Sequence, residues 1–481
     1  METDVVVVGA GSAGCVLAAR LSEQPGRSVT LVEAGPDHRA AELPDELRHL
    51  SRPVAWPYNW GDRVASGGRE LNYGRGRGTG GSSQTNGAVA LRPEPEDFAS
   101  WPRELGWDRM LEYLNRIESD ADFGAAVHHG DAGPIPIVRY PERDWAPLQR
   151  AFVEGCVAAG LDFCPDHSRP GSTGAGPIPM NRRGTERVSN TMAYLEPARA
   201  RANLTVRGDA HVRRILVERD RAVGVELVDG TRIHAGQVVL AAGVIQTPLL
   251  LGRSGIGAAG PVRELAAVGR NLTDHMVVSY RAAVRPDTVP DGGPTLQTIA
   301  RATASGSDRR HDIQLTPIAR RNADGSRELE ISVSLQLPDG SGSVAPAGVE
   351  ADASPRIVWP FADVAANVVR LREGWRLAAR VAASTGIIED PAAVAADAAR
   401  GDAEIDTMIA ETHYAFYHGV GTCRMGTDPA TSVVTPRLAV HGLDGLHIVD
   451  ASVVPSVPRA NTHLLVTALA EYGAEQVAHM C

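Results

Sequence analysis

Lysine is missing from the chain: all 48 basic residues among 481 are arginine, against 58 acidic ones, for a net charge of −10. That balance gives no electrostatic footprint for a phosphate backbone, so nucleic acid is not expected as a partner. Arginine-only usage points to a GC-rich genome and not to a mechanism. Cysteine is scarce as well. Cys15, Cys156, Cys164, Cys423 and Cys481 are scattered, with no CxxC pair and no His/Cys cluster at zinc spacing. Neither a disulfide framework nor a metal site is therefore expected, and the thiols suit a reducing compartment. No basic leader precedes the first apolar run, so the expected location is cytoplasmic, or peripheral at a membrane. Long apolar runs are lacking too: Ala235–Gly252 is uncharged but holds Gln237, Gln246, Thr247 and Pro248. It reads as a buried strand, a turn and a helix start, with no transmembrane segment expected. No nucleophile elbow GxSxG follows a strand, which leaves a Ser/His/Asp hydrolase unsupported.

What is present is a turn-rich globular composition, 43% hydrophobic and 22% charged with 50 glycines and 32 prolines. The length corresponds to roughly three domain-sized units. Val5-Val6-Val7-Val8 is a β-branched run of the kind buried in a parallel sheet, and Gly9-Ala10-Gly11-Ser12-Ala13-Gly14 comes directly after it. A helical stretch and a second strand ending at Glu33 complete a βαβ unit. Residues 36–77 read as loop, with Trp56, Tyr58 and Trp60 among them. Farther on, Asp229-Gly230 between two β-rich runs signals a hairpin in antiparallel material. Ile331-Ser332-Val333-Ser334-Leu335 alternates as a strand with one solvated or cavity-facing side. Residues 364–400, rich in Ala, Arg and Leu, read as helical, and no internal repeat is visible.

Gly9, Gly11 and Gly14 form GxGxxG between strand and helix, where the glycines allow a tight turn, close approach to a pyrophosphate and close helix packing. Glu33 stands at the spacing where a carboxylate accepts both ribose hydroxyl hydrogens, which favours an unphosphorylated ribose, as in FAD or NAD. The alternative is a glycine-rich turn in an unrelated α/β protein. A second glycine-rich segment, Gly76 to Gly87, offers further backbone donors, unless it is a surface loop.

That second segment, together with other stretches along nearly the whole chain, resembles the glucose-methanol-choline (GMC) flavin oxidoreductases. The matches run in order: the GxGxxG unit ending in Glu33-Ala34-Gly35; Gly76 to Asn86; Gly243 to Leu251 leading to Ser254-Gly255-Ile256-Gly257; Val268 to His275; His418-Gly419-Val420-Gly421-Thr422-Cys423-Arg424-Met425-Gly426; and Val449-Asp450-Ala451-Ser452 continuing to Asn461-Thr462-His463. Thr79, Thr85 and Val244 depart from the usual residue types. The resemblance implies a mixed α/β and α+β fold, with a Rossmann-like FAD-binding domain interleaved with a substrate-binding domain built on an antiparallel sheet with helices. Residues 1–92, 186–276 and 436–481 would form the first, and 93–185 and 277–435 the second. It also implies that Gly9, Gly11, Ser12, Ala13, Gly14, Glu33 and Ala34 hold the ADP half of FAD. Gly78, Gly81, Ser82 and Asn86 would lie along the pyrophosphate and flavin, Val212 and Ala242 beside the nucleotide, Asp450 and Ala451 near the ribityl chain, and Thr462 at the pyrimidine edge. Some relatives tether FAD through a histidine where this chain has Ser82-Ser83-Gln84-Thr85, so non-covalent FAD is expected.

Alcohol oxidation by flavin needs a base with a pKa near the working pH, and histidine meets that need untuned. By resemblance His418 is that base, in a segment whose small residues would let the backbone approach a flat cofactor. His463 matches the second active-site position, with a core histidine as its alternative; His275 and His413 are assigned to structure. The expected activity is oxidation of an alcohol by hydride transfer to FAD, with electrons passed to an external acceptor, a quinone-like carrier or O2, and a dehydrogenase favoured over an oxidase. The short, lysine-free chain also resembles actinobacterial members associated with mycofactocin, whose reduced form would then be the donor. The alternative reading is a hydroxynitrile lyase-type enzyme in which bound flavin does no redox work.

Overall fold

The computed structural model describes residues 2–50, 58–348 and 350–480; Trp56 and Cys481, both named in the sequence analysis, lie outside them. The valine run forms β1 (Glu2–Val8), followed by α1 (Ser12–Leu21) and β2 (Val29–Val32). Later chain adds β3 (Leu204–Arg207), β4 (Val212–Glu218), β5 (Arg221–Leu227) and β6 (Arg232–Leu240). They build a sheet of order β3-β2-β1-β6-β5-β4, with Leu446–Ile448 as a seventh strand on β6. β1 pairs in parallel with both β2 and β6, Val8 lying opposite Val32 and Leu240. The antiparallel region around Asp229-Gly230 is thus continuous with this sheet. The first half of β6 pairs with β5 antiparallel, and its second half enters the parallel core between β1 and the strand at 446–448. After a break at Ala241-Ala242 the chain enters α2 (Gly243–Arg253).

A second, fully antiparallel sheet has six strands. β7 (Met276–Ala283), β8 (Thr298–Ala302), β9 (Ile313–Arg321) and β10 (Arg327–Leu335) lie in the order β7-β10-β9-β8, with Tyr414–Ala415 on one edge and Gly174–Pro177 on the other. Its alternating pattern has a physical purpose. Ile313 and Val333 point toward α3 (Ala365–Ser384), where Gly374 permits so close a fit that an added Cβ would lie 2.8 Å from Val333 Cγ1. Tyr280 of β7 meets Trp375 edge-on at 5.2 Å. The alternate residues Arg281, Glu330, Ser332, Gln314 and Thr316 line a cavity on the opposite face. Residues 36–77 depart from the loop expectation: Arg63–Ser66 and Arg69–Asn72 form a hairpin around Gly67 and Gly68, both at positive φ. Gly-Gly between two short strands is a hairpin signal that the surrounding prolines and glycines obscure.

Among the described residues the four cysteines are buried and free, and no helix is long and apolar enough to cross a membrane. The sequence shows no metal spacing, yet the fold gathers His128, His129, Glu118, Asp120 and Asp166 closely enough to ligate a cation. Their charge is already balanced. Arg92 lies 2.6 Å from Glu118, Arg139 lies 2.9 Å from Asp120 and 3.4 Å from Asp166, and His129 bridges all three carboxylates. Burial alone would strip the proton from His129, but hydrogen bonds to Asp120, Asp166 and Glu118 overrule it and push its pKa up to about 10. A raised histidine pKa adds stability that is complete below the unfolded value and is lost as pH rises through about 10. Replacing His129 by Gln should cost about 3–5 kcal/mol of unfolding free energy, because it leaves three buried carboxylates sharing only two buried arginines. Denaturant titration checks this, and histidine NMR should find the His129 imidazolium still protonated at neutral pH.

Candidate active site

A cavity of about 760 Å³ runs between the two sheets, within the size range of small-molecule and cofactor sites. One end is built by the β1–α1 turn. Gly9 takes φ +96°, and a Cβ on Gly14 would fall 1.8 Å from the Gly9 carbonyl oxygen, so only glycine lets α1 start this close to β1. A Cβ on Gly11 would meet nothing within 4 Å. That open notch lies at the amino end of α1, which has no side-chain cap, so its first N–H groups are free to face an anion.

Glu33 does more than the sequence implies. Its Oε2 accepts from Ala10 N at 2.8 Å, and its Oε1 accepts from Gly35 N at 2.9 Å and Gly78 N at 3.0 Å. One carboxylate thus ties three glycine-rich stretches together. Of the four acceptor positions a carboxylate offers, three are spent on backbone N–H groups.

The cavity is lined by Gly9, Gly11, Ser12, Ala13, Glu33 and Ala34 from the first motif, and by Gly81, Ser82 and Asn86 from the second. Val212, Ala242, Asp450, Ala451 and Thr462 join them, as do His418 and His463. Gly14 and Gly78 do not line it: the first packs on the β1–α1 turn, and the second gives its N–H to Glu33. Thr79 is spent on the backbone of His38, donating to its carbonyl at 3.1 Å and accepting from its N–H at 3.0 Å. Asp450 accepts from Gly243 N at 2.8 Å, Thr247 Oγ1 at 2.6 Å and Ser452 N at 2.8 Å, fastening α2 to the late strand.

At the other end His418 is partly open to the cavity, and its backbone N–H donates to Asp274 Oδ1 at 2.9 Å. The same oxygen takes His275 N–H at 2.7 Å, and Oδ2 takes the Tyr73 hydroxyl at 2.6 Å. The glycines after His418 make room for protein and not for a cofactor: a Cβ on Gly419 would strike Tyr73 Oη at 2.2 Å, and one on Gly421 the Asn271 carbonyl at 2.4 Å. Burial, then His275 and Arg75, hold the His418 imidazole well below the usual histidine pKa.

The partner of His418 on the cavity side is Asn461. Its Nδ2 lies 3.1 Å from His418 Nε2, whereas His463 is 8% exposed and neither ring nitrogen has a hydrogen-bond partner among the described residues. The helix start decides the difference. Asn461 is the N-cap of α4 (Thr462–Ala478) and makes no cap bond, so its amide is free to turn to His418, while His463 sits inside the first turn. Asparagine before an apolar helix is a recognisable N-cap signal, and it would have singled out Asn461. His275, assigned to structure from sequence, lies against His418 with their Nδ1 atoms 2.9 Å apart. His413 instead pairs with Ser66 at 2.9 Å.

Models of the GMC oxidoreductase family match residues 3–277 and 338–470. The chain belongs to that family. An uncharacterised GMC-type oxidoreductase of Rhodococcus erythropolis is 34% identical, with 97% of each chain covered. An alcohol dehydrogenase (acceptor) of Pseudomonas putida is 28% identical, over 98% of this chain and 95% of its own. The crystal structure titled pyridoxine 4-oxidase from "Mesorbium loti" superposes with a TM-score of 0.89 at 31% identity, covering 99% of both chains. Membership implies FAD, and the residues of this GMC oxidoreductase fit one: an open glycine notch at an uncapped helix end, a nearly saturated acidic residue beside it, and a buried histidine with two unpartnered nitrogens farther along. Replacing Glu33 by Gln puts an amide NH2 against backbone N–H groups. At about 1–3 kcal/mol for each buried donor left unpaired, FAD affinity should fall at least about tenfold, as equilibrium dialysis of the cofactor would measure.

Proposed function

We propose that this GMC oxidoreductase binds FAD non-covalently and oxidises an alcohol, with His418 as the base. The observation that carries the reading is the meeting of His418 Nε2 and Asn461 Nδ2 at 3.1 Å in the cavity that the glycine notch also lines. When bound, FAD supplies a two-electron acceptor for the hydride of the carbinol carbon. His418 takes the hydroxyl proton at Nε2, the O–H electron pair staying on the substrate oxygen. The Asn461 amide turns from His418 to that oxygen, orienting it and favouring its alkoxide character. Tyr414, Phe416 and Tyr417 narrow the approach. The FAD-binding part is drawn from residues 1–92, 186–276 and 436–481, and the chamber for the donor from 93–185 and 277–435.

Electrons leave to an external acceptor, a quinone-like carrier or O2; the relative named alcohol dehydrogenase (acceptor) supports a dehydrogenase. A small alcohol is the donor; reduced mycofactocin is the more specific candidate to include in a donor screen.

Under anaerobic rapid mixing, an alcohol donor should bleach the flavin absorbance, whereas cyanohydrin cleavage with the flavin still yellow would overturn oxidoreduction in favour of the lyase reading. Replacing His418 by Ala should keep FAD bound and slow reduction on the order of a hundredfold or more. Because the resting imidazole is held neutral by burial, the rate should be flat through neutrality and fall only in acid, as pH drops through the depressed pKa. A base with an ordinary histidine pKa would already lose rate just below neutrality.

A further inference from the structure

We propose that His275 is a positioning residue that fixes the tautomer of His418, so that the base presents a lone pair, and not an N–H, to the cavity. This rests on the reading of His418 as the base. On the far side of His275 from the cavity, Nε2 lies 2.8 Å from the carbonyl oxygen of Pro458. A carbonyl can only accept, so Nε2 carries the hydrogen. The ring is fully buried without a carboxylate partner among the described residues, and burial pushes its pKa down to about 4. It is therefore neutral, with one N–H already assigned, and its Nδ1 is a lone pair. The 2.9 Å contact between the two Nδ1 atoms is then a hydrogen bond only if His418 donates. His418, itself neutral, is the Nδ1–H tautomer, and its Nε2 is the acceptor.

The opposite side gives the same answer. Asn461 Nδ2 is a donor and faces His418 Nε2. Both anchors sit on one loop, which carries the Pro458 carbonyl and Asn461 three residues apart. That loop is held from outside: Arg459 binds Asp97 at 2.6 Å and the Arg310 carbonyl at 2.8 Å, and Asn271 Nδ2 binds the Pro455 carbonyl at 2.9 Å. The two imidazoles cross at 86° with centroids 5.0 Å apart, which directs the His418 Nδ1–H at an edge and not a face. Asp274 fixes the two backbones through its Oδ1 and leaves both rings alone. When Nε2 takes the donor's hydroxyl proton, His418 becomes an imidazolium whose Nδ1–H is already bonded to His275, so the new charge forms without the imidazole itself having to turn. A histidine base that loses its tautomer-setting partner can lose rate by about ten-thousandfold.

The test uses the FAD-loaded enzyme with His275→Leu and His275→Gln. Leucine removes the acceptor; glutamine offers a carbonyl oxygen to His418 and an N–H to Pro458. Nitrogen NMR of histidine-labelled wild type should find His418 as the Nδ1–H tautomer. In His275→Leu the hydrogen should redistribute toward Nε2, and flavin reduction should slow about a hundredfold or more. The acid limb of its pH profile should move as well, since Asp274, Tyr73, Arg75, Phe416 and Tyr417 are unchanged around the pair. Glutamine should restore most of both. An Nε2–H tautomer in the wild type overturns the proposal, as does His275→Leu with unchanged rate and spectrum. If His275→Leu fails to retain FAD, the wild-type spectrum alone decides. His418→Ala separates the two claims: unchanged reduction there removes the base, whereas slow reduction there beside normal His275→Leu kinetics removes only the positioning role.

Discussion

Three buried carboxylates each gather three donors and so tie separate stretches of chain together around the cavity. Glu33 takes the backbone of residues 10, 35 and 78; Asp274 takes Tyr73, His275 and His418; Asp450 takes Gly243, Thr247 and Ser452. Buried N–H groups must be paired, and in segments this rich in glycine the backbone has few neighbours of its own to pair with. The carboxylates supply that pairing, and they tie the loops to one another as walls of the cavity. Burial pushes the Asp274 carboxyl up to about 6, a sign that the charge is retained only because its three partners offset the loss of water.

Function is divided between the two sheets by this arrangement. The parallel sheet ends in helix starts, which offer unpaired N–H groups toward the cavity, while the antiparallel sheet closes the other side with side chains. The two histidines stand where the systems meet, one leading into β7 and the other three residues beyond the short edge strand Tyr414–Ala415. Their neutral state follows from burial, and their orientation from a loop anchored outside the cavity.

Much of this is legible in the amino-acid order. Local signals carry the β1–α1–β2 unit, the hairpin at Asp229-Gly230 and the alternation in β10, because each depends on residues close in sequence. Contacts across long separations are not legible. Nothing near Glu33 shows that Gly78 will spend one of its acceptor positions, and nothing near His275 shows that it will meet a residue 143 positions later. Motif position alone points to His463 as the partner of His418, because it does not resolve a two-residue offset. A helix start does, since it places Asn461 outside the first turn and His463 within it. Gly419 and Gly421 invite assignment to the cofactor for a similar reason: a glycine announces that something comes close, without saying what.

The alternation along β10 has an evolutionary consequence. Leu329, Ile331 and Val333 belong to the interior that α3 covers, while Glu330 and Ser332, interleaved with them, belong to the chamber wall. Neighbouring codons thus answer to different selective pressures, one set to folding and the other to what enters. A lineage can refashion the wall one alternate position at a time while the interior, and the histidine at the head of β7, stay as they are.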